Sequence, residues 1–140
     1  MRILLSFLLV TSFYTLGDGC GGLDEQRCMV SVINLVATPE RYHEKVVIVT
    51  GYLDTKSRGY YGQYWLSLSN DYFEPANMVK VDIPEKFAEQ LNITHHRVYS
   101  IVGVFESCNS KPPSDRDCFN SITPIIGNNG YPSIRLVLSD

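Results

Sequence analysis

No stretch of this chain gathers positive charge. Its 12 basic residues are interspersed among 15 acidic ones, for a formal net charge of -3. A protein that tracks phosphates by electrostatics normally shows a basic run, and none is here. Catalytic signatures are equally scarce. There is no Gly-x-Ser-x-Gly, no His-Glu-x-x-His and no phosphate-cradling glycine loop, so the commonest hydrolase, zinc-protease and nucleotide-binding chemistries have no local support. Histidine is confined to His43, His95 and His96. In a strand, the adjacent pair would point to opposite faces and could not easily share one metal. His43 stands with Glu40 and Glu44 in what reads as a solvated polar turn. Asp71, Glu74, Asp82 and Glu85 could include a catalytic pair, but surface solvation is the simpler reading. The four cysteines include no Cys-x-x-Cys, the spacing that zinc sites and thiol catalysts favour. The expectation is a non-catalytic protein without cofactor or metal.

What is present begins with an apolar N-terminus. Arg2 is followed by an apolar run from Ile3 to Phe13, and then by Gly17 and Gly19 on either side of Asp18. That order matches a secretory signal peptide with cleavage after Gly17 or Gly19. The run is short of the roughly 20 residues that would make it a membrane anchor. Residues 1–19 are therefore expected to be a signal peptide, 20–28 a polar lead-in and 29–140 a single domain, a size able to bury a real core. Export to the periplasm or outside the cell follows. A lipid anchor on Cys20 competes with simple secretion, since this cysteine follows a small residue and precedes Gly21-Gly22. A bacterial lipobox, however, places a branched apolar residue where Gly17 stands, and Asp18 is also unusual.

Cysteine parity bears on that choice. In an oxidising compartment Cys20, Cys28, Cys108 and Cys118 form an even set with three possible connectivities. Local pairing, Cys20 with Cys28 and Cys108 with Cys118, is the simplest. Lipidating Cys20 would strand Cys28.

The run Val46 to Leu53 is rich in β-branched residues, unbroken from Val46 to Thr50, with Gly51 near its end. Such side chains suit a pleated, half-buried surface, and a glycine inside the run marks a bulge or bend. Tyr99 to Phe105 echoes it. Setting Gly51 on Gly103 aligns Val49 with Ile101 and Leu53 with Phe105. Two long strands, each bent at a glycine, predict a mainly β sheet curled into a small barrel. Further strands are expected over Tyr64 to Leu68, Met78 to Ile83, Arg97 to Phe105 and Phe119 to Ile126, with a last one over Ser133 to Leu138. Apolar residues at 29, 32, 33 and 36 predict a short helix over Met29 to Ala37, with a strand as the alternative. Thr38-Pro39 ends it, and a turn leads into the Val46 strand. Proline at the first turn and nearby acids predict a second helix over Pro84 to Leu91, with Phe87 and Leu91 on its buried face. Asn92-Ile93-Thr94 is a glycosylation sequon that matters only in a eukaryotic source; otherwise it reads as a helix-ending turn capped by Asn92.

A helix between the third and fourth strands of a five-stranded barrel, with glycine bends in strands one and four, resembles the OB-fold. The segment Val32 to Leu53, "VINLVATPERYHEKVVIVTGYL", is similar to the opening of small exported bacterial OB-fold proteins of unknown function. There a short helix, a Pro-x-x-Tyr turn and a Val-x-Val-x-Gly strand follow in order. "LSLSNDY" and "YSIVGVF" fall where those proteins place strands two and four. The resemblance spans Met29 to Ile126 and implies a fold without importing any catalytic residue. The loop from Cys108 to Cys118 is an addition to that pattern.

The resemblance also implies where a ligand would sit. OB-folds usually bind on the face of strands two and three, beside the loops after strands one and four. Here that face would show Trp65, Ser67, Met78, Lys80 and Asp82. Lys56, Arg58, Tyr60 and Tyr61 would come from the first loop, and Lys111 and Arg116 from the second. Aromatics beside cations suit stacking on bases, on sugars or on a partner protein. The leading expectation is an exported binding module for a protein or a cell-envelope glycan. One alternative is an inhibitor or immunity-type protein that inserts the Cys108–Cys118 loop. Single-stranded nucleic acid is a third and weaker one, given the charge.

Overall fold

The computed structural model describes residues 20, 27–54, 63–69, 75–91, 93–94, 97–110 and 118–137. Among the described residues, seven strands form one sheet: β1 (Cys28–Val30), β2 (Val46–Asp54), β3 (Tyr64–Ser67), β4 (Val79–Val81), β5 (Arg97–Glu106), β6 (Ser121–Pro124) and β7 (Ile134–Leu136). The helices are short: α1 (Val32–Ala37) and α2 (Glu85–Ala88). Among the described residues, no helix is long and apolar enough to cross a membrane.

The two β-branched runs become the two longest strands. They pair antiparallel from Val46 opposite Val104 to Leu53 opposite Arg97. Alternation turns Val47, Val49, Leu53, Tyr99, Ile101 and Phe105 inward, where all six are buried in one core cluster. The sheet closes in the order β2-β3-β4-β6-β5 and back to β2. Only the β4–β6 pair within that ring is parallel. A closed five-stranded ring of this order, with α2 between β4 and β5, is the OB-like barrel that the sequence resembles.

The glycine echo has a specific cause. Along its edge away from β5, β2 pairs first with β1, at residues 47–49, and then with β3, at residues 52–54. Along its edge away from β2, β5 pairs first with β7, at residues 99–101, and then with β6, at residues 103–106. Gly51 and Gly103 stand at these two hand-overs. The partners are not each other: Gly51 faces Tyr99 and Gly103 faces Val47, on either side of the Val49–Ile101 pair. A Cβ on Gly51 would lie 2.5 Å from the Ser67 carbonyl oxygen, and one on Gly103 would lie 2.5 Å from Ile122 Cγ2. Neither glycine has positive φ. Their smallness lets a neighbouring strand approach; no special backbone conformation is involved.

The N-terminal segment departs from the expected helix. Met29 belongs to β1, and α1 begins at Val32, capped by Ser31, whose Oγ accepts the Asn34 N–H at 3.2 Å. Cys28 and Val30 are buried with period two, whereas Met29 is 84 % exposed. The helix buries Val32 and Leu35, and Ile33 faces outward. Over three residues the strand and helix periods agree too well to be told apart, and a cap serine then fixes where the helix starts. The polar lead-in also ends one residue early, because Cys28 opens the strand. On α2, Phe87 is only half-buried and sits beside the Tyr131 ring at 6.2 Å between centroids, outside the barrel core.

Both local disulfides are present, Cys20–Cys28 and Cys108–Cys118, with Cα atoms 4.9 and 5.5 Å apart. Those spans fall within the usual disulfide range. The first ties Cys20 to β1 and the second closes the base of the β5–β6 loop. Such bonds persist in oxidising surroundings.

Candidate functional site

The outer face of β3 and β4 follows from strand alternation. Leu66, Val79 and Val81 point into the core, so Trp65 and Lys80 point outward, directly opposite each other in the ladder. Lys80 is in turn opposite Ser121 of β6. Gathering these residues on one face is what the sequence predicts.

The exposure of that face differs from expectation. Trp65 is completely buried although it points away from the barrel core. The Phe119 ring packs edge-on against it, with centroids 4.9 Å apart and planes at 87°, a geometry that aromatic quadrupoles favour. Met78 and Ser67 are buried as well. Trp65 is therefore a floor residue that supports the face. It does not present a stacking surface to a ligand. Sequence alternation assigns the side of the sheet but does not reveal what covers it.

Beside this floor lies an open groove of about 340 Å³, lined by Gln63, Tyr64, Lys80, Asp82, Ile83 and Pro84. Lys80 Nζ is 2.8 Å from Asp82 Oδ1, and both side chains are partly exposed. An ion pair that water can reach contributes at most about 1 kcal/mol of stability, so its main effect is to set the charge pattern. Burial pushes the Tyr64 phenol up, which keeps it uncharged and able to donate a hydrogen bond. The Gln63 side-chain oxygen is buried with no hydrogen-bond partner among the described residues.

Both flanking loops take root at this face. After residues 55–62, which lie outside the described residues, the chain resumes at Gln63 and Tyr64, in the groove wall. The stapled loop leaves β5 through a 3-10 turn at Cys108–Ser110 and returns at Cys118. Its return limb is fixed twice. The Asn120 carbonyl accepts the Lys80 N–H at 2.9 Å, and Asn120 Oδ1 accepts the Cys108 N–H at 2.9 Å. Lys56, Arg58, Tyr60 and Tyr61 lie outside the described residues, as do Lys111, Arg116, Asp71, Glu74, Asn92, His95 and His96.

His43, Glu40 and Glu44 are not a merely solvated turn. The 3-10 turn Pro39–Tyr42 and the residues after it are docked on the end of β5. Phe105 O accepts the Glu44 N–H at 2.8 Å, and Lys45 O accepts the Phe105 N–H at 3.0 Å. His43 Nδ1 accepts the Ser107 N–H at 3.2 Å, and the Asn109 side chain donates to the Glu40 carboxylate. That last bond holds the Glu40 carboxyl below the usual carboxylate range. Glu40 and His43 thus serve as local structural acceptors. Sequence reading missed Gln63, Phe119 and Asn120. For Phe119 and Asn120 the only available signal was their place just after Cys118, where a stapled loop re-enters the sheet.

A second concavity, about 430 Å³, lies between α1 and the ends of β3 and β4, walled by Ile33, Val36, Leu68 and Met78. It is largely apolar, and among the described residues no charged one lines it. Among the described residues, no group of three His, Cys, Asp or Glu side chains comes together as a metal site would require.

No protein-family profile matches the chain, and no curated protein sequence does either. Twelve chains of solved structures match, among them the following two. One is a Leishmania major Friedlin protein described as an aspartyl-tRNA synthetase, at TM-score 0.43 and 10 % identity, matching 84 % of this chain and 22 % of that one. This chain therefore spans only about a fifth of the length of that protein. The other is OBody AM3L09 bound to hen egg-white lysozyme, at TM-score 0.43 and 19 % identity, covering 69 % of this chain and 85 % of that one. The fold assignment rests on strand order and closure, which place the chain among OB-like barrels.

Proposed function

We propose that this protein is an exported, non-catalytic OB-like binding module of bacterial type, which holds a protein or cell-envelope glycan in the Lys80–Asp82 groove. One observation carries the reading: the groove lies where the roots of both long loops meet the β3–β4 face. Fold alone does not imply function, so the argument rests on this local convergence. The charge pattern supports a neutral or mixed-charge ligand over a phosphate chain. Lys80 already has a carboxylate 2.8 Å away, and phosphate binding needs several cations to spare. The disulfides support export, since they persist in oxidising compartments. A thioether-linked lipid would need the Cys20 sulfur that is bonded to Cys28, which favours a secreted or periplasmic protein over a lipid-anchored one.

A second reading has its own observation. The stapled loop is braced at its base by the Cys108–Cys118 bond, by Asn120 and by Phe119 on Trp65. A rigid loop loses less entropy on docking, as an inhibitor-type insertion would require.

The test is capture of partners from the extracellular and envelope fraction of the source organism on immobilised protein. Lys80→Glu sets like charge against Asp82 and is expected to reduce capture about tenfold or more, while Ile33→Asp, on the other concavity, leaves it unchanged. Capture that survives Lys80→Glu undiminished refutes the groove. Loss on replacing Cys108 and Cys118 by serine, with Lys80→Glu silent, transfers the site to the loop.

A further inference from the structure

Just past β5, successive backbone N–H groups find no strand partner and turn to side chains. Ser107 N–H goes to His43 Nδ1, Cys108 N–H to Asn120 Oδ1 and Asn109 N–H to Ser107 Oγ. Together these bonds fix the root of the stapled loop. Only the first acceptor can be abolished by a proton. A neutral imidazole carries one lone-pair nitrogen; the imidazolium carries none. Ser107 is fully buried, so water cannot readily replace the lost acceptor.

We propose that His43 is an acid-sensitive latch: neutral imidazole holds the root of the Cys108–Cys118 loop, and protonation releases it. Histidine is the side chain whose charge ordinarily changes in mildly acidic water, and that general property sets the range in which the latch is tested.

The surrounding charges do not rescue the bond. Glu44 Oε1 is 3.8 Å from the other ring nitrogen, Nε2. It lies on the far side of the ring and supplies no acceptor to Ser107. Glu40 is engaged with Asn109 on the same turn, and with its carboxyl held low it stays ionised through mild acid. Arg41 and Lys45 on that turn, and Glu106 at the end of β5, are exposed to solvent. The Glu44 and Phe105 backbone bonds do not involve a titratable atom, so the turn itself stays docked while the loop root loosens. Asn120 links that root to Lys80 through its Oδ1 and its carbonyl, which gives the latch a direct path to the groove.

The test is amide hydrogen exchange, corrected for intrinsic rate, on the full disulfide-bonded protein at about pH 7.5 and about pH 5, bracketing ordinary histidine titration. Protection at Ser107, Cys108 and Asn109 is expected to fall about tenfold in acid, the scale of one lost buried hydrogen bond, while β2 amides hold theirs. His43→Asn places a non-titrating oxygen where Nδ1 stands and is expected to keep protection at both pH values. His43→Ala is expected to lack it at both, with β2 amides again unchanged. Wild-type protection at Ser107 that is equal at the two pH values overturns the latch. So does a His43→Asn protein that loses protection in acid as the wild type does.

Discussion

Gly103→Val is expected to cost about 3–5 kcal/mol, near the upper end of what single substitutions do. The new Cβ alone would sit 2.5 Å from Ile122 Cγ2 and 2.6 Å from the Thr123 carbonyl oxygen. One of those contacts is backbone of the adjacent strand, so a side-chain rotation cannot relieve it. β5 and β6 must separate, and their ladder from Gly103–Pro124 to Glu106–Ser121 closes the barrel. Overpacking by itself costs about 1–3 kcal/mol, and the disturbed ladder adds to it. Gly51→Val is expected to behave alike, since its Cβ would meet the Ser67 carbonyl oxygen of β3. Thr50→Val, one residue away on the exposed side, is expected to stay within about 0.5 kcal/mol of wild type. Urea denaturation followed by circular dichroism measures all three. A Gly103→Val midpoint equal to that of wild type would mean that the hand-over does not depend on glycine.

The second large effect reassigns a residue. Trp65→Ala is expected to destabilise the fold by about 3–5 kcal/mol, the range for emptying a buried aromatic site. For a domain of this size the melting temperature then drops by on the order of 10–20 °C. Trp65→Phe keeps most of the volume and the edge-on contact with Phe119 and is expected to lose about 1–2 kcal/mol. Any weakening of partner capture by Trp65→Ala should therefore track the unfolded fraction and vanish on cooling below the transition. A Trp65→Ala protein that melts with wild-type temperature yet loses capture would restore Trp65 as a contact residue.

The architecture was legible where local chemistry and tertiary demand agree. Val46 to Leu53 and Tyr99 to Phe105 are rich in β-branched and apolar residues because each buries one face along their shared pairing, and their glycines mark the strand hand-overs. The disulfide pairing followed from short loops. Three features were hidden. Cys28–Val30 is too short to show its period before Ser31 starts the helix. Trp65 shows its side of the sheet in its alternation, but its cover, Phe119, comes from a distant loop whose path no local pattern encodes. The polar turn at Glu40 to Glu44 looks solvated in sequence, since its partners Ser107 and Asn109 are supplied by the far end of β5. In the last two cases the deciding neighbour is remote in sequence, and periodicity reports only on nearby residues.

The barrel now divides its labour. Gly51 and Gly103 allow closure, Trp65 and Phe119 build a floor, and Lys80 and Asp82 line the groove beside it. Site-specific photo-crosslinking tests that division most directly. A photoreactive side chain is placed at position 80, or at position 33 by the apolar concavity, and each protein is irradiated with the extracellular and envelope fraction of the source organism. A discrete adduct from position 80 and none from position 33 is the predicted result. An adduct from position 33, with position 80 silent, would contradict the assignment of the β3–β4 groove as the binding site.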